Sequence, residues 1–225
     1  WGGNAEYVKV PRQNVLPMPD TLSFEEAAAM PLTFVTAWQM LVKRAQIKPG
    51  DWVLVLAAGS GIGVAAIQIA KLFGATVIAT ASTSEKLLKA KSLGADYVIN
   101  YRQKDFYEEV QTITARRGVD IVVEHTGEHT WEKSIRCAKW GGTVVTCGAT
   151  SGADGKTDLK HLFFRQLSIL GSTMGSKGDL LELAVWIRRG YLKPVIDEVM
   201  PLQDARRAHD KLESRSQFGK IILKP

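Results

Sequence analysis

From Asp51 onward, short runs of β-branched and aliphatic residues alternate with longer amphipathic stretches. The apolar runs are Val53 to Leu56, Thr76 to Thr80, Tyr97 to Asn100, Asp120 to Glu124, Thr143 to Cys147 and Leu167 to Leu170. Between the first five lie Ile62 to Phe73, Ser84 to Leu93, Lys104 to Ala115 and Thr130 to Trp140, each with apolar residues at helical spacing. Strand, helix, strand at this repeat predicts parallel pairing through right-handed crossovers, hence an α/β sheet covered on both faces. Val53-Leu54-Val55-Leu56 shows no polar alternation, which fits a central strand buried on both sides. Six such strands match a doubly wound nucleotide-binding domain.

The flanks read differently. Ala5 to Val10 is strand-like, and Ser23-Phe24-Glu25-Glu26 has the capping-box pattern that starts a helix. Pro31 breaks or kinks that helix, and Phe34, Trp38, Leu41 and Val42 predict a second piece ending before the Lys48-Pro49-Gly50 turn. The tail predicts a helix at Asp179 to Arg189, a strand at Val195 to Met200, a helix at Gln203 to Glu213 and a last strand at Lys220 to Leu223, with no crossover rhythm continuing there. The opening segment and the tail are expected to belong to a second domain whose bulk is absent. The first residue is Trp1 rather than Met, so a natural N-terminal part is expected to precede it.

Composition narrows the class. The 225 residues are 45% hydrophobic and 23% charged, enough for one well-packed core, and no apolar stretch has the ~18 residues a membrane span needs. The 29 basic and 23 acidic residues give +6, but the cations are scattered singly or in pairs, so a nucleic-acid patch is not expected. Two cysteines, Cys137 and Cys147, cannot form a disulfide framework or a four-ligand metal site, and a cytoplasmic location is expected.

The first strand runs into Ala57-Ala58-Gly59-Ser60-Gly61-Ile62-Gly63, after which a helix starts. Small residues are required where the turn is tight, the backbone must approach a pyrophosphate, and a helix N-terminus offers free N–H groups and partial positive charge. This string follows a strand and opens a helix, the context in which a glycine-rich string reads as a phosphate turn. An NAD site places Asp or Glu about 20 residues further on, to bond the ribose 2′-hydroxyl. Here Ser82-Thr83-Ser84 and then Lys86 stand there instead. Hydroxyls and a cation suit a 2′-phosphate, which favours NADPH over NADH; the same hydroxyls also suit the cap of the next helix.

Taken together, Ala5-Glu6-Tyr7-Val8, Phe24-Glu25-Glu26-Ala27-Ala28, Pro31-Leu32-Thr33, Thr36-Ala37-Trp38, Lys48-Pro49-Gly50-Asp51, the Ala58 to Gly63 turn, Gly94-Ala95-Asp96, Val98-Ile99-Asn100-Tyr101 and Phe218-Gly219-Lys220 resemble the medium-chain dehydrogenase/reductase superfamily, in its quinone oxidoreductase-like and zinc-type alcohol dehydrogenase branches. The resemblance covers nearly the whole chain. It implies a doubly wound, parallel, six-stranded Rossmann sheet with remnants of a GroES-like catalytic domain at both ends, in an enzyme about a hundred residues longer than this chain. The implied division is a catalytic-domain remnant at 1–30, the NAD(P)-binding domain at 31–175, and a segment at 176–225 that returns to the catalytic domain.

Carried over residue by residue, Thr36 is similar to the threonine beside the nicotinamide ribose, and Ser60, Gly61, Ile62 and Gly63 to the pyrophosphate turn. Lys86 and Tyr101 match the pair that holds the adenosine 2′-phosphate, with Ser82 at the discriminating position. Cys147, Gly148 and Ala149 end the fifth strand where backbone contacts fix the carboxamide, Leu170 ends the sixth, and Lys220 resembles a basic residue returning from the tail. At the glycine positions of the alcohol dehydrogenase form, the turn here reads Ala58, Ser60 and Gly63, a departure shared with the quinone reductase branch.

The implied chemistry is hydride transfer between NADPH and a carbonyl, enone, quinone or alcohol, in a homodimer or homotetramer. Zinc is not expected within these residues, because Leu32 stands near the position where some relatives carry a cysteine ligand, and no catalytic acid or base can be assigned. His125 follows the fourth strand and reads either as cofactor-proximal or as an ordinary loop residue. Two competing readings are a dinucleotide-binding and dimerisation module without turnover, and a methyltransferase built on the Gly59, Gly61, Gly63 spacing. The latter lacks the acid such sites want after the second strand.

Overall fold

A computed structural model describes residues 2–225; Trp1, at the head of the expected 1–30 remnant, lies outside them. Its centre is a six-stranded parallel sheet, formed in chain order by β1 (Trp52–Val55), β2 (Thr76–Ala81), β3 (Tyr97–Asn100), β4 (Val119–Glu124), β5 (Ala138–Thr146) and β6 (Ser168–Gly171). The spatial order is β3-β2-β1-β4-β5-β6, so the winding reverses between β1 and β4. That reversal opens a crevice at the strands' C-terminal ends, where ligands bind in such sheets.

Burial on both faces explains the unbroken apolar runs. Val53 and Val55 join one core with Val77, Ala79, Ile121, Val123 and Val145, beneath the helical segment α2 (Pro31–Trp38), α3 (Gly61–Leu72), α4 (Ser84–Ser92) and α8 (Lys177–Arg188). Leu54 and Leu56 turn the other way and join Ile78, Val122 and Val144 beneath α5 (Phe106–Ile113) and α6 (Glu128–Cys137). All four residues of Val53 to Leu56 are almost entirely inaccessible to solvent.

Helix boundaries follow local chemistry. α1 (Phe24–Ala29) starts at Ser23, whose Oγ accepts from Glu26 N–H at 3.2 Å while Ser23 N–H donates to Glu26 Oε2 at 2.9 Å. Pro31 occupies the first turn of α2, where its missing N–H costs nothing. α2 then runs on through a wider π turn, Gln39–Arg44, for which the apolar spacing gives no warning.

Three expectations need correction, and one helix was not foreseen. Ala5 to Val10 forms no strand; Tyr7 and Val8 are exposed and the segment has no ladder partner among the described residues. The sixth helix stops at Cys137 rather than Trp140, because Ala138 already pairs with Val119 and draws the chain into β5. A short helix, α7 (Leu159–Phe164), stands before β6, capped by Asp158. The crossover rhythm does continue in the tail: β7 (Ile196–Pro201), α9 (Ala205–Glu213) and β8 (Lys220–Lys224) form a small parallel β-α-β unit.

That unit packs on α1, and Lys224 Nζ donates to Glu25 Oε1 at 2.8 Å. α8 instead contributes Leu183 and Ile187 to the main core. Among the described residues no helix is long and apolar enough to cross a membrane.

Leu54→Ala should cost about 3 kcal/mol in urea unfolding, whereas the exposed Leu88→Ala should stay within about 0.5 kcal/mol. The Lys224 contact holds the Glu25 carboxyl down to about 2 from its ordinary 4.5. A depressed acid stabilises the fold above its unfolded value and loses that contribution as pH falls toward its folded value. A carboxyl-detected NMR titration should therefore find Glu25 protonating well below pH 4.5, and Lys224→Ala should return it toward that value.

Candidate functional site

The glycine-rich turn leaves β1 with Ala57 at φ 45°, and Ala58 N–H donates across to Thr80 O at 2.8 Å, tying the turn to β2. Ser60 then caps α3, its Oγ accepting from Gly63 N–H at 2.9 Å. Gly63 is required sterically: a Cβ there would sit 2.7 Å from Ala58 Cα and collide with the Ala57 carbonyl oxygen. At Gly61 a Cβ would meet Thr33 Cγ2 at 2.6 Å, and at Gly59 it would press on Phe218 and Lys86. The backbone of this turn is thus laid bare between neighbours that leave no room for a side chain, with the free N–H end of α3 behind it.

Beside the turn opens a cleft of about 520 Å³ that brings Ser60, Ser82, Lys86 and Tyr101 together. They arrive from three strand ends: Ser60 from β1, Ser82 and Lys86 from β2, and Tyr101 from β3. Ser82 follows β2; Thr83, next to it, is the residue that caps α4, accepting from Lys86 N–H at 3.3 Å. The capping role considered for the whole Ser82-Thr83-Ser84 run therefore falls to Thr83, and Ser82 stays on the cleft wall. Tyr101 follows β3, its N–H donating to Ala81 O at 3.2 Å. Lys86 Nζ donates to the Arg215 carbonyl oxygen at 2.6 Å. Burial pulls the Lys86 pKa below its ordinary value, against the opposing pull of the Asp197 and Glu85 carboxylates.

The other expected site residues do not line this cleft. Thr36 is buried in α2 with its hydroxyl spent on Leu32 O at 2.6 Å. Cys147, Gly148 and Ala149 follow β5, where Cys147 N–H donates to Glu124 O at 3.3 Å, and Leu170 lies half-buried on β6 paired with Val145. Lys220 begins β8 with its side chain against Gly61, and burial lowers its pKa. Gly61 and Ile62 open α3, with Gly63 in the same first turn.

Arg215 and Gln217 complete the cleft from the tail, and Thr130 and Lys133 from α6. The pattern along the chain gives no local signal for them: Arg215 reaches Lys86 across 129 positions. His125 proves to be buried and on the cleft wall, with Nε2 2.9 Å from Ser60 Oγ. Burial lowers its pKa, with Glu124 opposing, so the ring is neutral at pH 7.

Glu124, fully buried, builds the loop that carries His125. Its carboxyl group accepts from Thr126 N–H at 2.6 Å and Gly127 N–H at 3.0 Å, and from the Thr130 and Ser134 hydroxyls at 2.9 and 2.5 Å. Every acceptor position is used, which pins the β4–α6 turn.

The turn, the cleft and the cations at its rim fit a dinucleotide: bare backbone for a pyrophosphate, Lys86 and hydroxyls for a further phosphate. They do not fit a metal ion. Among the described residues no three His, Cys, Asp or Glu side chains gather to hold one. Cys137 is buried in the core with its thiol pKa pushed up, and burial pushes Cys147 up to about 11, so both are protonated at neutral pH.

A family model for zinc-binding dehydrogenases matches residues 61–189. Quinone oxidoreductase 1 of Escherichia coli (strain K12) is 36% identical over 220 residues, covering 92% of this chain and 67% of that protein. A protein named NAD-dependent alcohol dehydrogenase, from Sulfurisphaera tokodaii, is 34% identical, covering 100% of this chain and 65% of its own length. Among solved structures, a crystal structure of an NAD-dependent alcohol dehydrogenase superposes with a TM-score of 0.95 at 52% identity, covering 100% of this chain and 65% of that one. The 2-octenoyl-CoA carboxylase reductase CinF, solved with NADP and 2-octenoyl-CoA, superposes at 0.87 with 33% identity, covering 92% and 51%. The chain therefore spans about two thirds of the length of the curated relatives it matches.

Glu124→Ala would orphan two backbone N–H groups and two hydroxyls at once. Urea denaturation should show a loss of about 3 kcal/mol or more; a variant as stable as the parent would contradict the structural role given to this carboxyl.

Proposed function

Because this chain belongs to the zinc-binding dehydrogenase family, within the medium-chain dehydrogenase/reductase superfamily, we propose that it binds a nicotinamide dinucleotide across the β1/β4 crevice, with NADPH preferred. In the whole protein, the reaction so served is hydride transfer to or from a carbonyl, enone, quinone or alcohol. The observation that carries the preference is the meeting of Ser82, Lys86 and Tyr101 with Ser60 in one cleft. No carboxylate follows β2 at the position where one would bond a ribose 2′-hydroxyl and repel a 2′-phosphate.

When bound, the nicotinamide supplies the hydride chemistry, and the chain's own residues bind and orient. The α3 N-terminus and Ser60 receive the pyrophosphate, and Lys86, Tyr101 and Ser82 receive the adenosine 2′-phosphate. Thr36, Cys147, Gly148, Ala149 and Leu170 serve the nicotinamide half, and Lys220 returns from the tail to the cofactor at the pyrophosphate turn. Lys220 suits an anion because its side chain is drawn in against Gly61 at the positive end of α3. No step is assigned to zinc, since these residues assemble no ligand set.

NADH is the competing choice, favoured by the likeness to proteins named NAD-dependent alcohol dehydrogenase. Relatives solved with NADP favour the other. A second reading is that the chain binds the dinucleotide and a second copy but turns over nothing. The site for a partner copy is the edge strand β6, flanked by the exposed Phe163 and Phe164, in a homodimer or homotetramer. Both cysteines are free, in keeping with a cytoplasmic location.

Calorimetric titration of the chain with NADPH and then NADH tests the proposal. Lys86→Ala should weaken NADPH by about tenfold or more, the worth of one charge-assisted hydrogen bond, and leave NADH nearly unchanged. Equal losses for both would remove the 2′-phosphate assignment, and robust quinone-dependent NADPH oxidation would remove the no-turnover reading.

A further inference from the structure

Ser60 Oγ serves two neighbours. It accepts from Gly63 N–H at 2.9 Å and stands 2.9 Å from His125 Nε2. A hydroxyl has two lone pairs and one hydrogen, so the direction of the second contact decides where that hydrogen points. His125 is 8% exposed, and its Nδ1 has no hydrogen-bond partner among the described residues.

If Ser60 donated to Nε2, the neutral ring would have to carry its proton on Nδ1. That would leave a buried N–H without an acceptor, the arrangement proteins avoid most. If Nε2–H donates instead, both Ser60 lone pairs are filled, Nδ1 keeps only an unshared pair, and the Ser60 hydroxyl hydrogen is left over. Its remaining direction is the cleft that both residues line, at the N-terminus of α3.

We propose that His125 is a positioning residue of the dinucleotide site: by donating Nε2–H to Ser60 Oγ, it presents the Ser60 hydroxyl hydrogen to the anionic pyrophosphate. This rests on the dinucleotide reading above. Burial keeps the ring neutral in this role, against the pull of Glu124. Ser60 and Thr150, which donates to the His125 carbonyl oxygen at 3.4 Å, carry no charge, and the nearby Glu124 carboxyl is occupied by its four donors. Lys86, Lys133, His129 and Arg215 line the same cleft.

Nitrogen-detected NMR of the histidine rings in the 225-residue chain should find His125 as the neutral Nε2–H tautomer, and keep it so as pH falls through the ordinary histidine value of about 6.5. NADPH calorimetry then compares the parent with His125→Leu, His125→Gln, Ser60→Ala and the Ser60→Ala/His125→Leu double variant. His125→Leu should weaken NADPH about tenfold, and His125→Gln, which puts an amide N–H near the Nε2 position, should recover most of it. In the Ser60→Ala background, His125→Leu should have no further effect.

An Nδ1–H ring, unchanged affinity in His125→Leu, or an equal loss in both backgrounds overturns the inference while leaving dinucleotide binding intact. Failure of the parent to bind either NADPH or NADH overturns the dinucleotide reading, and the inference with it. If His125→Leu does not fold, the tautomer and the Gln variant still decide.

Discussion

Burial of β1 on both faces is the constraint from which the rest follows. A strand with no polar face must have helices above and below it, and right-handed crossovers supply them only if the chain winds outward from β1 in both directions. Val53 and Val55 take one layer and Leu54 and Leu56 the other. The winding from β1 through β2 to β3, and then back past β1 to β4, opens the crevice between β1 and β4. Ser60, Ser82, Tyr101 and His125 follow strand ends at the rim of that sheet, where the apolar interior gives way to the cleft.

The rim is built from two kinds of contact. The glycine turn is local: Ser60 caps the helix it begins, and Gly63 lets α3 close onto Ala57 and Ala58. The walls of the cleft come from far away in the chain. Gly219 N–H donates to Gly59 O at 2.8 Å and Phe218 packs on the same glycine, so the tail is fastened to the turn it helps enclose. Asp197 accepts from Phe218 N–H at 2.9 Å and pairs with Lys211, which fixes the tail loop in turn. The small β7–α9–β8 unit therefore acts as a wall of the nucleotide cleft as well as a separate layer on α1.

Buried polar groups at this rim are held rather than reactive. Glu124 spends its carboxyl on four donors, His125 is kept neutral by burial, and the Cys147 thiol is protonated. A site of this kind orients a ligand that brings its own chemistry, which is the division of labour expected of a dinucleotide enzyme.

By itself the sequence determined the parallel sheet, most of its helices and the glycine-rich turn that opens α3. These depend on periodicity and on contacts within a few residues: apolar runs that must be buried, a capping box at Ser23, small residues between Ala57 and Gly63. The absence of an acid after β2 was equally legible, since it is a matter of one position. Only the tertiary structure decided that Ala5 to Val10 stays unpaired, that β5 begins at Ala138, and that the tail forms its own crossover, because a strand exists only where a partner strand is present to bond it. It also decided that Arg215 meets Lys86 and that His125 meets Ser60. Those pairs are 129 and 65 residues apart, and no local pattern encodes a contact that exists only once the sheet has brought two distant strand ends to one edge.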